Sequence, residues 1–284
     1  MRFSWSRIGA IAILALFVAA GAGCTLANKI RAKNELNETA RSYRDGHFDE
    51  AEQHARRALA LEPTNKTAAI FIARILHQQY KPGVDTPDNI AKAKEAIEAY
   101  KNILQMDPKD EEAYKAISVL YSAIKDDDKL REWISRRAND TSLPNEKRAE
   151  AYAILAGKDW DCSFKITELP DVKVANDPGK PAGITYKKPK EQKDFDKIQH
   201  CVTRGLEEAE TAIKYDPNNE SAWSYKTNLL LEASKLAEMD GKTDQKAQYQ
   251  KDYEAALKRT TELSVANQKR KEEEEKTKAA QPKG

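Results

Sequence analysis

Cysteine is scarce in this chain: three among 284 residues, at Cys24, Cys162 and Cys201. None falls in a C-x-x-C or C-x-x-C-H spacing, so neither dithiol redox chemistry nor haem attachment is suggested. Glycine and proline number 11 each, too few for a collagen-like chain or a Gly/Pro-rich linker. An excess of one charge is missing too. Lys plus Arg are 48 and Asp plus Glu 46, for a net +2, which argues against a nucleic-acid binder relying on bulk charge. Histidine is limited to His47, His54, His77 and His200. No two stand at the spacing of H-E-x-x-H, and His200 beside Cys201 does not make a metal site. No G-x-S-x-G, Walker A or G-x-G-x-x-G occurs. Acidic runs such as Asp126-Asp127-Asp128 read as turns and caps. Nothing assembles a nucleophile, a base and an orienting group. The expectation is a chain without catalytic residues, metal or cofactor.

Long apolar runs are limited to one, Ile8 to Ala22, preceded by Arg2 and Arg7. Its length fits a signal-peptide core better than a spanning helix. Three readings stay open. Gly21-Ala22-Gly23-Cys24 resembles the lipobox of bacterial lipoproteins, which would make Cys24 a lipidated first mature residue; Gly21 stands where that family usually has Leu. Ala20-Gly21-Ala22 is a fair site for ordinary signal peptidase. Extended through Cys24 to Ala27, the run could instead anchor uncut, and Lys29, Arg31 and Lys33 make the flanking charge indecisive. Segment 1–24 is thus expected to be a signal peptide or membrane anchor. The body is expected in a bacterial cell envelope, membrane-tethered and facing the periplasm.

What the rest contains is helix-forming and charged: 33% charged and 40% hydrophobic residues. It repeats itself. In Tyr43-Arg-Asp-Gly-His-Phe-Asp-Glu-Ala51, Gly46 ends one helix. Phe48, Ala51, Ala55, Ala58 and Leu59 then recur at helical spacing, with small Ala allowing close helix approach. Pro63 stops that helix. The cadence returns before Met106-Asp-Pro108 and Tyr215-Asp-Pro-Asn-Asn219. After each break a new apolar pattern opens: Ala69, Ile72, Ala73 and Leu76; Tyr114, Ile117, Ser118 and Tyr121; Trp223. Tyr152, Leu155 and Ala156 read as a further first helix. Ala255-Ala256-Leu257 read as the end of a last second helix.

These stretches resemble the tetratricopeptide repeat (TPR) family: Gly-x-aromatic-Asp-Glu-Ala, Ala-Leu seven residues later, then Pro-x-Asn. The resemblance implies an all-α solenoid of antiparallel helix pairs, about five irregular repeats over 33–263. Two interruptions are expected. One is the turn-rich Tyr80–Asp88. The other is a long loop over about 161–193, rich in Pro and Lys, with little apolar surface to anchor it. Residues 266–284 read as a charged, disordered tail, or as an extension of the last helix that frays.

With Cys24 assigned to the N-terminal segment, Cys162 and Cys201 remain as an even pair in an exported body. In the repeat register they fall on successive helices at the base of the long loop. A disulfide between them is therefore expected.

The TPR resemblance also implies a groove lined by first helices. It maps onto Leu36, Ala40, Tyr43 and Arg44; Ile70, Arg74, His77 and Gln78; Lys115, Val119 and Ser122; and Ser224, Asn228 and Leu231. This face is mixed and slightly basic, suited to an extended peptide or another protein's helix. Leu36 and Ala40 replace the Lys/Asn clamp by which some TPR domains hold C-terminal carboxylates. The resemblance thus implies a non-enzymatic protein–protein interaction scaffold. The alternatives are an accessory structural subunit of a membrane complex, or an envelope enzyme with an unrecognised site.

Overall fold

In the computed structural model the backbone is described for residues 5–175 and 183–280, and the side chains for 25–175 and 183–277. Among the described residues there are ten helices and one two-stranded hairpin: α1 Trp5–Arg44, α2 Phe48–Leu61, α3 Lys66–Gln79, α4 Pro87–Met106, α5 Glu111–Ala123, α6 Asp127–Asn139, α7 Asn145–Thr167, β1 Lys173–Ala175, β2 Ile184–Tyr186, α8 Gln192–Tyr215, α9 Glu220–Met239 and α10 Thr243–Ala280. The chain divides into two compact units, 1–130 and 131–284, the division falling within α6.

Two kinds of turn are reused, and each follows from local sequence. The first closes α1, α5 and α9 with a residue at positive φ: Gly46 at 79°, Lys125 at 58° and Gly241 at 68°. In each the following N–H reaches back to the sixth carbonyl: His47 to Ser42 at 2.9 Å, Asp126 to Tyr121 at 3.0 Å, Lys242 to Ala237 at 2.8 Å. This is the Schellman closure, which satisfies carbonyls the helix end would leave unpaired. The second turn is the Pro break. Glu62, Asp107 and Asp216 end α2, α4 and α8, and a capping residue stands three positions on. Asn65, Asp110 and Asn219 accept from the N–H groups of Ala68, Ala113 and Ala222 at 3.0, 2.9 and 2.9 Å. Pro interrupts one helix while the Asx side chain starts the next.

In the first unit, α1 packs on α2, α2 on α3, α3 on α4 and α4 on α5. The core is built from small residues, with Ala51, Ala55, Ala58, Ala68, Ala73, Ala93 and Ala96 fully buried. Methyl-sized side chains let the helices approach, and Ile75, Ile97, Ile103, Ile117 and Leu120 fill the space between. The 80–88 segment is tighter than a turn-rich insertion suggests. Its loop is 80–86, Thr86 caps α4 and Pro87 is already helical. Asn89 pins it, accepting from Lys81 N and donating to the Lys81 and Val84 carbonyls at 2.7–2.8 Å.

In the second unit, α7 pairs with α8 and α9 with α10. Both pairs run antiparallel: Asp159 meets Arg204 while Arg148 meets Tyr215, and Thr227 meets Thr260 while Glu220 meets Asn267. Gly205 marks a close approach, since a Cβ there would lie 2.8 Å from Leu229 Cδ2 and 2.9 Å from Asp159 Cβ. The fold is thus all-α and TPR-like in its helix pairs.

Two segments differ from the sequence reading. The loop expected over 161–193 is shorter, because α7 runs through Thr167 and α8 starts at Gln192. Within it β1 and β2 pair antiparallel, Val174 opposite Thr185. It is also anchored: Val172, fully buried, packs with Phe195, Met239, Tyr186 and Leu236. Tyr186 N donates to Glu238 and Lys188 pairs with Asp240 at 2.7 Å. A few apolar residues at the loop's two ends suffice, because α9 supplies the rest of the pocket. The second difference is the tail, helical through Ala280 rather than disordered from 266. Residues 266–280 hold no Gly or Pro, and opposite charges fall one turn apart, as in Arg270–Glu274. Such spacing supports helix without burial. Ala255-Ala256-Leu257 consequently lie in mid-helix.

Candidate partner-binding face

The sequence-derived groove positions of the first unit lie on α1, α3 and α5. Contacts join these helices in order: Tyr43 meets Phe71 edge-on at 6.1 Å, and Arg74 of α3 reaches Glu112 of α5 at 2.9 Å. Helical periodicity sets the spacing along each helix. Residues 36, 40 and 43/44, or 70, 74 and 77/78, recur every three or four positions and so share one face.

The side chains on this face divide into two groups. Arg44, Arg74, Gln78, Lys115 and Ser122 are exposed, and Val119 presents 57% of its surface. Leu36, Ala40 and Ile70 are half-buried beside them. Three cations, one carboxylate and a few apolar side chains form a mildly basic, partly apolar strip. The others serve packing. Tyr43 is half-buried between Phe48, 5.5 Å away, and Phe71. His77 lies edge-on to Tyr100 of α4, its Nδ1 3.3 Å from the tyrosine oxygen. Burial lowers the His77 pKa below its ordinary value, so the ring is neutral at pH 7, and burial raises that of Tyr100. Gln78 borders a shallow depression with Gly46, His47, Asp49 and Lys92, where Gln79 donates to Asp49 at 2.8 Å. In the second unit Asn228 and Ser224 are half-buried on α9 and Leu231 is 42% exposed.

Cys162 and Cys201 are joined, with Cα atoms 6.2 Å apart, tying α7 to α8. That separation is within the range a bridge requires. The Cys24 side chain and the apolar run 8–22 lie outside the residues whose side chains are described. Among the described residues no helix is long and apolar enough to cross a membrane, and no His/Cys/Asp/Glu group could hold a metal ion.

Sequence reasoning missed two buried charge clusters in the second unit. In one, Asp159 receives both Arg204 and Arg131, and Arg131 also meets Glu208. Burial, outweighing Arg131, pushes the Glu208 carboxyl up to about 7, and its Oε2 is buried without a hydrogen-bond partner. In the other, Lys235 is 4% exposed. It donates to Glu232, itself 1% exposed, at 2.6 Å and lies 4.8 Å from the Tyr186 ring centre. A signal was available. Asp159 follows Tyr152, Leu155 and Ala156 on the apolar period of α7, and Glu232 follows Leu229 by three. Both clusters are enclosed by packed helices, so they orient helices and the hairpin rather than present groups to a ligand.

The antiparallel helix pairs and their reused turns give an all-α, TPR-like helical-repeat fold. No protein-family profile matches the chain, and no curated protein is significantly similar to it. Solved structures are similar at low identity. MamA 41-end from Desulfovibrio magneticus RS-1 is 13% identical, with 83% of this chain and 96% of that one covered and a TM-score of 0.41. YrrB, described as a TPR protein with an unusual peptide-binding site, is 11% identical, covering 78% and 88%, with a TM-score of 0.36. Pseudomonas aeruginosa PilF is 12% identical, covering 84% and 99%, with a TM-score of 0.35.

Proposed function

We propose that this chain is a non-enzymatic protein–protein interaction scaffold. Its N-terminal segment tethers it to a bacterial envelope membrane with the body in the periplasm, and the α1/α3/α5 face binds a peptide or protein segment. The observation that carries the binding reading is the exposed Arg44, Arg74 and Lys115 interleaved with the exposed Val119 and half-buried Ile70 and Leu36. A strip of this kind complements an acidic segment with apolar residues between its charges. The tether reading rests on Arg2, Arg7, the apolar run from Ile8 and Cys24. An oxidising compartment also suits the Cys162–Cys201 bridge.

A photo-crosslinking residue at Lys115 or Val119, tested in cells, should capture a specific partner. The same residue at Lys94, exposed on α4, should not. Equal capture from Lys94 would remove the face from the proposal. Cys24→Ser should abolish lipid labelling. Wild-type protein that carries no lipid would replace the lipoprotein form of the tether by the signal-anchor or cleaved form.

A further inference from the structure

The outward face of α10 has a pattern that the partner-binding face does not use. Toward α9 the helix buries Ala256 and Leu263, with half-buried Tyr253, Thr260 and Asn267 in register. About a third of a turn away runs a second stripe: Leu257, 42% exposed, exposed Thr261, and Val265, 48% exposed. Thr261 can lie in an apolar seam without cost, because its hydroxyl donates to the Leu257 carbonyl at 2.9 Å and leaves the methyl outward. Along one edge of the stripe stand exposed Glu254, Lys258, Glu262 and Lys269.

This arrangement is self-complementary about Thr261. Leu257 and Val265 lie four residues to either side of it. In an antiparallel pair of identical helices with the two-fold axis at Thr261, each Leu257 therefore meets the other copy's Val265. A two-fold axis normal to the plane of the two helices brings like edges together. At about 1.5 Å rise per residue, Lys258 then stands about 3 Å in axial height from the second copy's Glu262. Lys269 stands about 1.5 Å from the second copy's Glu254 by the same rise. The two-fold repeats both pairs, so four cations face four carboxylates along a seam closed by Leu, Thr and Val. In the single chain Glu262 meets only the neighbouring Arg259, at 3.3 Å and partly exposed, a contact weak enough to be shared. A parallel pair would turn this charged edge toward the second copy's opposite flank and lose these pairs.

We infer that this stripe is a self-association surface, and that two copies of the chain join through an antiparallel α10–α10 pairing centred on Thr261. The inference is independent of the partner-binding face, which lies in the other unit.

The full chain, purified in detergent, provides the test. Thr261→Cys should give a covalent dimer under mild oxidation, because the two Cys meet at the axis. Gln268→Cys should not, because its two copies lie about 21 Å apart at 1.5 Å per residue. In sedimentation the unmodified chain should be dimeric at tens of micromolar. Lys258→Glu should weaken dimerisation at least tenfold, and Lys258→Glu with Glu262→Lys should restore it. All these positions are exposed, so unchanged circular dichroism separates lost association from lost folding. A monomer at that concentration, or equal cross-linking from positions 261 and 268, would overturn the inference. So would a double charge swap no better than the single one. Cross-linking of Thr261→Cys to a different protein would assign the stripe to another partner and overturn it as well.

Discussion

Arg204 grips Asp159 with both arms, Nε to Oδ2 at 2.8 Å and Nη2 to Oδ1 at 2.6 Å, across the α7–α8 interface. Asp159 is 1% exposed, and Arg131 closes its other side at 2.9 Å. A buried carboxylate is tolerated here only because two guanidiniums replace the water it has lost. Asp159→Asn keeps the shape and removes the charge, leaving two cations facing a neutral amide. The expected loss is about 3 kcal/mol, the low end for breaking a buried pair, because both guanidiniums keep some solvent contact. Urea unfolding of the full chain checks this, and a change under about 1 kcal/mol would mean that water already shares the site.

Glu208 makes stability depend on pH. Its folded pKa stands at about 7, above the ordinary 4.5, with burial as the main cause. The folded state therefore holds a proton that the unfolded chain releases. This contribution is fully present below pH 4.5 and is lost as pH rises through about 7. Glu208→Gln should flatten the stability profile across that window. Comparing melting temperatures of both proteins between about pH 5 and 8 tests it, and an identical slope would assign the titration elsewhere.

Lys125 occupies a position that its two counterparts give to glycine. At φ 58° a side chain is strained, and the compensating Asp85 pair at 2.8 Å is exposed. A left-handed non-glycine residue costs about 1–2 kcal/mol, and an ion pair this exposed is screened by solvent and offsets little of it. Lys125→Gly should stabilise the chain by about 0.5–1 kcal/mol. Gly46→Ala, at φ 79°, should move it the other way by a similar amount. A destabilising Lys125→Gly would show that the Asp85 contact outweighs the strain.

The Cys162–Cys201 bridge closes a loop of 39 residues. Chain entropy values such a closure at about 4 kcal/mol, taken from the unfolded state. Reduction, or Cys201→Ser, should lower the denaturation midpoint accordingly. Protein made in an oxidising compartment should show no free thiol at either position. Full labelling of both without a reductant would remove the bridge, and with it one support for export.

Much of this architecture is written in local sequence. Pro63, Pro108 and Pro217 each stand two residues before an Asx cap, and Gly46 and Gly241 close helices. These signals act within a few residues, so the helix ends and the pairing rhythm can be read without tertiary contacts. The spacing of Arg44, Arg74 and Lys115 could likewise be placed on first helices, because a face is a property of the helical period.

What local sequence could not decide depended on partners distant along the chain. Asp159 and Lys235 look solvated among so many charges. Arg204 of α8 and Arg131 of α6 supply the counter-charges of Asp159. Lys235 has Glu232 on its own helix, and Thr167 of α7 and Tyr186 of the hairpin close over that pair and let it be buried. The two strands hold few apolar residues, and Phe195 and Met239 form the floor against which Val172 and Tyr186 pack. Tyr43 and His77 sit at groove positions by period, yet Phe71 and Tyr100 draw them into the packing. The period determined which face a residue occupies. The neighbours brought against that face decided whether it meets solvent, a counter-ion or a core, because desolvation is set by what packs around a group rather than by the residues beside it in sequence.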